Sequence, residues 1–372
     1  MKNLEDFQKL FKVNFPLEEH HEYYMETLMK SPFYAGIGAL AKEFEQYEKD
    51  IEDEGFKSTI SYKLDHVLPK MKEYIKSTKA YYKLLEIEAH HPRLRKKDVL
   101  KHNDDTYLIS IDFTAANYNA LKSFDSEGEM YGSWEELCSA LDVHPLLAKS
   151  KSFRQLVFGN TNPKRLGKVQ HSNIILIVED LIENHGFEED DIVFISHDEF
   201  VVRLRPDHAL ATNRIMLLNA AVGNIIEKHG INMPTHFKVF KNEAIVKSDK
   251  ALKDIRVQTI YNVKMGGLSA KYDTLFAAPG DKFFKYFKTY ILKEALDKRD
   301  LMFMSHGEIA VWAEGEDSIV ERITPEGELS FKELEEQYPD LINNLKKEVS
   351  GLNEHQVRKI ANIALEFSYK GY

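Results

Sequence analysis

Two aspartates lie next to short segments rich in apolar, β-branched residues. Asp112 follows residues 108–111, which are apolar except for Ser110. Asp198 lies in a polar turn between the apolar residues 192–195 and residues 200–204, which are apolar except for Arg203. Such segments predict β-strands, and ligands commonly bind where strands end. If the two strands were neighbours, the carboxylates would repel each other unless divalent cations neutralised them, and paired carboxylates that hold two metals commonly serve phosphoryl transfer. An aspartate after a strand is also a frequent turn or helix-capping residue, so that interpretation stays open.

A basic segment without acidic residues lies between the two aspartates. Residues 143–178 contain no Asp or Glu, although the whole chain carries 60 acidic and 50 basic residues. The basic residues of this segment are Lys149, Lys151, Arg154, Lys164, Arg165 and Lys168. This pattern favours a surface that faces phosphate groups, and the alternative is an ordinary solvated helix face. Arg154 and Phe158 are four residues apart on a predicted helix, so a cation and a ring on one face could hold a triphosphate and a base.

Three of these segments resemble motifs of the family A DNA polymerases and of their relatives, the single-subunit phage and mitochondrial RNA polymerases. LISIDF at residues 108–113 resembles the first palm motif, and KSFRQLVFG at residues 151–159 is similar to the finger helix. FISHDE at residues 194–199 resembles the third palm motif, of which His-Asp is the hallmark. With weaker similarities after residues 169 and 235, the resemblance covers about residues 105–245.

The resemblance implies a two-metal site built around the two aspartates. Asp112 and Asp198 would hold two Mg²⁺ ions, and Glu199 would be an outer or optional metal ligand. The backbone carbonyl of Phe113 would be a further ligand, and His197 would orient the turn or the end of a primer.

The resemblance also implies a nucleotide site on the finger helix. Lys151 and Arg154 would grip the incoming triphosphate, and Phe158 would pack on the nucleotide. The other basic residues that we expect to face nucleic acid are Lys164, Arg165 and Lys168.

The chain departs from the family pattern in three places. The finger motif usually ends in Tyr-Gly, whereas Asn162 and Pro163 occupy those positions here. His197 follows Gly159 by only 38 positions, which predicts a reduced fingers region. The DNA polymerases carry a Glu five residues after the first Asp as a gate against ribose, and Asn117 in its place favours ribonucleotides.

The remaining sequence indicates how the chain is organised. Stripes of apolar residues at helical spacing predict a helical region over residues 1–104, and residues 251–372 are expected to be mixed and helical. Together with the central residues 105–250, they predict an α+β fold with a palm-type antiparallel sheet, packed helices and reduced fingers. Within the C-terminal region we expect a strand at 257–263 and helices at 281–296, 331–345 and 353–369.

The composition narrows the environment and the partners. The 372 residues are 43% hydrophobic and 30% charged, as in ordinary globular proteins, and the single Cys138 suits a reducing cytoplasm. No apolar run of about 18 residues occurs, so no membrane span is expected. Because the net charge is −10, contact with nucleic acid must be local. Residues 90–97, which are rich in Arg and Lys, could contribute to it or form a solvated loop.

These observations predict a nucleotidyltransferase, and several alternatives stay open. The chain is much shorter than a complete single-subunit polymerase, so we expect the catalytic subunit of a split, phage-type, DNA-directed RNA polymerase that works with a second subunit. Its other partners would be a DNA template, an RNA product and nucleoside triphosphates. The alternatives are a family A-like DNA polymerase, another palm enzyme such as a reverse transcriptase or nucleotide cyclase, and a non-catalytic adaptor that binds nucleic acid.

Overall fold

The computed structural model divides the chain into two compact units. It describes residues 1–87, 106–204, 211–245, 255–264, 267–276, 278–305, 308–312, 319–323, 330–348, 351 and 353–369. The first unit comprises residues 1–14, 23–278 and 290–292, and the second comprises residues 15–22, 279–289 and 293–372. The basic residues 90–97 lie outside the described ranges.

A six-stranded antiparallel sheet forms the centre of the first unit. Its strands lie in the order β2-β3-β1-β4-β5-β6. Their bounds are β1 Leu108–Phe113, β2 Ile192–Ile195, β3 Glu199–Arg203, β4 Thr235–Ala244, β5 Arg256–Lys264 and β6 Gly267–Phe276. β5 confirms the strand predicted at 257–263, and the sheet continues through the domain boundary that the sequence placed at residue 250.

Helices precede β1 and connect the strands of this unit, so the chain has the α+β architecture that the sequence predicts. Before β1 lie α1 Leu4–Phe11, α2 His21–Met29, α3 Ile37–Asp53, α4 Thr59–Ser61, a π-helical segment Tyr62–Val67, α5 Leu68–Ser77 and α6 Lys79–Glu86. Between β1 and β4 lie α7 Ala116–Lys122, α8 Trp134–Ala140, α9 Pro145–Lys149, α10 Lys151–Gly159, α11 Pro163–Asn184 and α12 Ala211–Lys228. None of the described helices is long and apolar enough to cross a membrane.

One face of the central sheet is apolar at one end and polar at the other. Because side chains alternate along a strand, Leu108 lies on the same face as Asp112. Leu108 packs in a buried apolar cluster with Val201, Phe240 and Ile260. The apolar cluster anchors the sheet, and the polar end of the same face carries the candidate site.

The second unit contains a three-stranded antiparallel sheet and three C-terminal helices. The strands are β7 Met302–Ser305, β8 Glu308–Trp312 and β9 Ile319–Ile323. The helices are α14 Phe331–Gln337, α15 Pro339–Glu348 and α16 Glu354–Tyr369. Leu334, Ile342, Val357 and Ala361 form their shared core.

Two predicted C-terminal helices differ in extent from the observed ones. The helix predicted at 281–296 consists of a 3₁₀ turn Gly280–Lys282, α13 Phe283–Tyr286 and a π-helical segment Phe287–Leu292, and it ends because Lys293 adopts a left-handed conformation. The helix predicted at 331–345 is divided before Pro339, since the proline ring disfavours helical geometry in the preceding residue.

Candidate active site

The sheet brings the two predicted aspartates together at the end of β1. β1 lies between β3 and β4, and in these antiparallel pairs Asp112 is opposite Glu199 on β3 and His236 on β4. The backbone N–H of Phe113 donates a 2.9 Å hydrogen bond to the carbonyl oxygen of Asp198. Asp112, Asp198 and Glu199 therefore lie together near the C-terminal end of β1, along one end of the sheet, and we call these three residues the acidic edge.

The electrostatic state of Asp112 reflects its neighbours. Burial, together with the negative charges of Asp198 and Glu199, raises the pKa of Asp112 to about 7, although the charges of Lys151 and Lys238 oppose the rise. Its side chain is 26% exposed, so solvent screens these charges only in part. A carboxylate that holds its proton near neutral pH beside two others indicates negative charge that the protein itself leaves uncompensated.

Short polar contacts hold the carboxylates in place. Ser110 Oγ donates to Glu199 Oε1, and Ser196 Oγ lies 3.3 Å from Asp198 Oδ1. His236 Nε2 lies 3.7 Å from Asp112 Oδ2 and remains half exposed. These contacts orient the carboxylate oxygens.

Helix α11 supports the turn that carries Asp198. His171 Nδ1 lies 2.9 Å from the carbonyl oxygen of Ser196, and the rings of His171 and His197 meet edge to face at 5.7 Å. A side chain at Gly167 would come within 3.6 Å of the His197 ring. His197 itself is exposed at the tip of the turn, where it can meet a ligand.

The donor set of the acidic edge fits Mg²⁺. Within the described residues, no group of three or more His, Cys, Asp and Glu side chains is arranged to hold a metal unaided. Mg²⁺ typically takes one or two carboxylates and completes its octahedral shell with water and substrate phosphates. Asp112 and Asp198 are the residues that would hold it, because a cation there would favour the ionised form of Asp112, which burial and the neighbouring carboxylates disfavour.

The helix predicted from the finger motif is present as α10. Ser150 caps its N-terminus by accepting a hydrogen bond from the backbone N–H of Phe153. Lys151, in its first turn, is exposed and lowers the pKa of Asp112, so its charge acts on the acidic edge. Arg154 instead opposes the burial that raises the pKa of the Cys138 thiol to about 12. Of the two basic residues predicted on α10, Lys151 is therefore the one whose charge lowers the pKa of Asp112.

Phe158 occupies a position that does not fit its predicted contact with a nucleotide. Its side chain is 1% exposed, and its ring packs against Trp134 at 5.8 Å and Tyr118 at 6.5 Å. A ring enclosed in this way has no free face on which a base could stack. The correction follows from the amphipathic character of α10, since Phe153, Val157 and Phe158 form its buried side.

The other basic residues of the acid-free segment fall into two groups. Lys149 pairs with Glu43 at 3.1 Å. Arg165 donates to the carbonyl oxygens of Leu84 and Leu85, so it caps the C-terminal end of α6 rather than pointing to a ligand. The remaining pair, Lys164 and Lys168, is exposed and has no hydrogen-bond or ion-pair partner among the described residues.

Three polar residues near the site were not singled out from the sequence. Lys238 on β4 is opposite Ser110 on β1, and Gln170 Nε2 donates a 2.8 Å hydrogen bond to Asn117 Oδ1. The signal for His236 and Lys238 is their period of two in a strand whose intervening residues are apolar, which puts both on one face. No comparable signal exists for Gln170, because it lies in the interior of a long helix.

No protein-family model matches this chain, and no curated protein matches it either. The chemistry of the acidic edge is therefore interpreted from its own residues: three neighbouring carboxylates and two lysines on different elements, Lys151 on α10 and Lys238 on β4, whose positive charges act on Asp112.

Proposed function

We propose that the chain is a nucleotidyltransferase: the catalytic subunit of a phage-type, DNA-directed RNA polymerase that transfers a nucleotide from a nucleoside triphosphate to a 3′-hydroxyl. The central sheet would be a palm, with a cytoplasmic setting and a second subunit completing the enzyme. The observation that carries the proposal is the register that places Asp112 opposite Glu199 and beside Asp198 and raises the pKa of Asp112 to about 7.

The chain's own residues supply orientation and charge for this reaction. Asp112 and Asp198 would hold two Mg²⁺ ions, which when bound supply Lewis-acid activation of the hydroxyl and of the triphosphate. Glu199 is positioned by Ser110 beside them. The charge of Lys151 suits the phosphates of the incoming nucleotide, and His197 at the tip of the turn would orient the end of the growing strand.

The product of the reaction depends on how the sugar is selected. Asn117 lies in the first turn of α7, and its side-chain oxygen accepts a hydrogen bond from Gln170. This hydrogen bond uses the side-chain oxygen of Asn117. The amide hydrogens of Asn117 have no partner among the described residues, so they can donate to a ribose hydroxyl. This supports ribonucleotides over deoxyribonucleotides, and a family A-like DNA polymerase is the alternative.

The test is extension of a labelled RNA primer on single-stranded DNA with Mg²⁺ and equal concentrations of ribo- and deoxyribonucleotides. We expect incorporation of ribonucleotides by the wild-type protein and none by Asp198→Asn, because the asparagine amide cannot replace a metal-binding carboxylate. Asp180→Asn is the matched control, since it makes the same chemical change at a buried carboxylate on α11.

Two results would contradict the proposal. Equal incorporation by wild type and Asp198→Asn would exclude the acidic edge as the catalytic centre. No incorporation with either set of nucleotides, together with no effect of Mg²⁺ on the thermal unfolding of the wild-type protein, would favour a non-catalytic adaptor.

A further inference from the structure

Lys238 is a cation that lies near the acidic edge without forming an ion pair with its carboxylates. It lies on β4 opposite Ser110, on the face of the sheet that also carries Asp112 and Glu199. It lies two positions along β4 from His236, which is opposite Asp112, and this corresponds to about 7 Å along the strand. A lysine side chain can span that distance.

The ammonium group of Lys238 is engaged away from the carboxylates. Its Nζ donates a 3.0 Å hydrogen bond to Gln258 Oε1 and lies 4.9 Å from the centre of the Phe240 ring. Gln258 Nε2 in turn donates to Asn242 Oδ1 at 3.2 Å. Asn242 is buried, and its own amide N–H has no partner among the described residues. A buried amide without a hydrogen-bond partner destabilises the fold, so this polar chain is not the most stable way to fill the sheet.

The charges around Lys238 show that it belongs to the candidate site. Burial lowers the pKa of Lys238, Glu199 and Asp112 oppose that change, and Lys151 adds to it. Lys151 and Lys238 thus act on each other and on Asp112 from two different elements, α10 and β4. Within the described residues, Lys238 nevertheless forms no ion pair with either carboxylate.

The hydrogen bond to Gln258 explains why the ion pair does not form. An ammonium group has three N–H donors, and Gln258 occupies one of them while holding the cation back from Asp112 and Glu199. The carboxylates stay available for a cation from solution, and the lysine stays available for an anion. Phosphate is the anion that the proposed reaction brings to this place.

We infer that Lys238 binds a phosphate group at the acidic edge. The inference rests on the proposed function, and the phosphate belongs either to the incoming triphosphate or to the backbone of the strand being extended. Lys238 contacts the ligand directly, and Gln258 is the residue that positions it.

The test measures equilibrium binding rather than turnover. Two probes are used with Mg²⁺: α,β-methylene-ATP, which cannot be incorporated, and a fluorescently labelled RNA–DNA hybrid. Loss of one charge-assisted hydrogen bond in Lys238→Gln should weaken one probe about tenfold or more, whereas Lys238→Arg should bind within about threefold of wild type. Weaker binding of the nucleotide assigns the phosphate to the triphosphate, and weaker binding of the hybrid assigns it to the strand.

Lys241→Gln is the matched control because it removes the same charge from the same strand. Lys241 lies over the Tyr107 ring at 4.3 Å, and the alternation of the strand puts it on the other face from Lys238. We expect this variant to bind both probes like wild type. If the glutamine variant fails to fold, as judged by thermal unfolding, Lys238→Met keeps the approximate length and apolar stem of the side chain and removes the ammonium group.

The result that overturns the inference is equal binding of both probes by Lys238→Gln and Lys241→Gln, or no binding of either probe by the wild-type protein. Failure of the proposed function gives a different result, namely no primer extension by wild type although the probes bind. For the hybrid, the salt dependence of binding offers a second measurement, since one lost phosphate contact should lower the slope of log K against log salt by about one.

Discussion

Asp112 and Asp180 are both carboxylates with little exposure, yet the protein surrounds them with opposite charges. Asp180 on α11 is 5% exposed; Lys228 Nζ lies 2.5 Å and His229 Nε2 lies 2.7 Å from its Oδ2, and Asn184 donates to its Oδ1. These hydrogen bonds hold the pKa of Asp180 well below its usual range. At Asp112, burial and two further carboxylates raise the pKa to about 7.

The difference separates a carboxylate that stabilises the fold from one that is kept for a ligand. A buried charge with complementary partners contributes to stability, whereas like charges placed together reduce stability and are retained where a site needs them. The sequence marks Asp112 by its place after a predicted strand, but the opposite pKa shifts of the two aspartates come from the partners that the fold gives them.

The largest expected effect is the loss of activity when the acidic edge is changed. Asp112→Asn should lower the rate of nucleotide incorporation by at least about a thousandfold, because a two-metal site loses a ligand for which an amide is a poor substitute. Single-turnover primer extension measures the rate. Asp180→Asn should retain most of its activity below its unfolding temperature, and an equal loss in both variants would remove the distinction between the two carboxylates.

The second effect is the pH dependence of stability without divalent cations. Because the pKa of Asp112 is about 7 in the folded protein and near 4 in an unfolded chain, the folded state binds the extra proton between these values. The free energy of unfolding should therefore fall as the pH rises from about 4 to about 7, by roughly 2–4 kcal/mol. Urea unfolding at several pH values measures the slope, and Asp112→Asn should reduce it.

Asp180 should show the opposite sign. Its lowered pKa means that its contribution to stability is present above about pH 4, the value of an unfolded carboxyl, and is lost as the pH falls below that. Asp180→Asn should lower the free energy of unfolding at pH 7 by about 1–3 kcal/mol, since Lys228 and His229 lose their partner. Urea unfolding at pH 7 checks this, and unchanged or greater stability would show that the Asp180 contacts contribute nothing.

Metal binding should also distinguish Asp112 from Asp180 through its effect on thermal stability. At pH 8, where Asp112 is ionised, Mg²⁺ at 100 times its dissociation constant should stabilise the wild-type protein by about 2.7 kcal/mol and raise the unfolding temperature by a few degrees. The shift should disappear in Asp112→Asn and remain in Asp180→Asn. A shift of equal size in all three proteins would place the bound cation elsewhere.

The smallest effect is expected at the third carboxylate of the acidic edge. Glu199→Gln should lower the rate of incorporation only about three- to tenfold, because Glu199 is held by Ser110 and supports the site without being one of its two main ligands. Comparison with Asp198→Asn in the same extension assay measures the difference. A loss as large as that of Asp198→Asn would make Glu199 a metal ligand in its own right.

The sequence by itself was sufficient for the local features of the site. Apolar, β-branched segments on either side of a polar turn predict the β2–β3 hairpin, and the similar segment before Asp112 predicts β1. These features depend on backbone propensity and on contacts between residues close in the chain, which a single sequence records directly.

Tertiary structure decided which residues meet across the chain. It placed Asp112 opposite Glu199, enclosed Phe158 between Trp134 and Tyr118, and directed Arg165 to the end of α6. It also brought β5 and β6 into the central sheet beyond the boundary predicted at residue 250. Burial, strand register and the pKa shifts that follow from them are set by partners that are distant in sequence. The residue types and their spacing therefore predicted the chemistry that could occur, whereas packing decided which of those residues have a free face and an uncompensated charge with which to perform it.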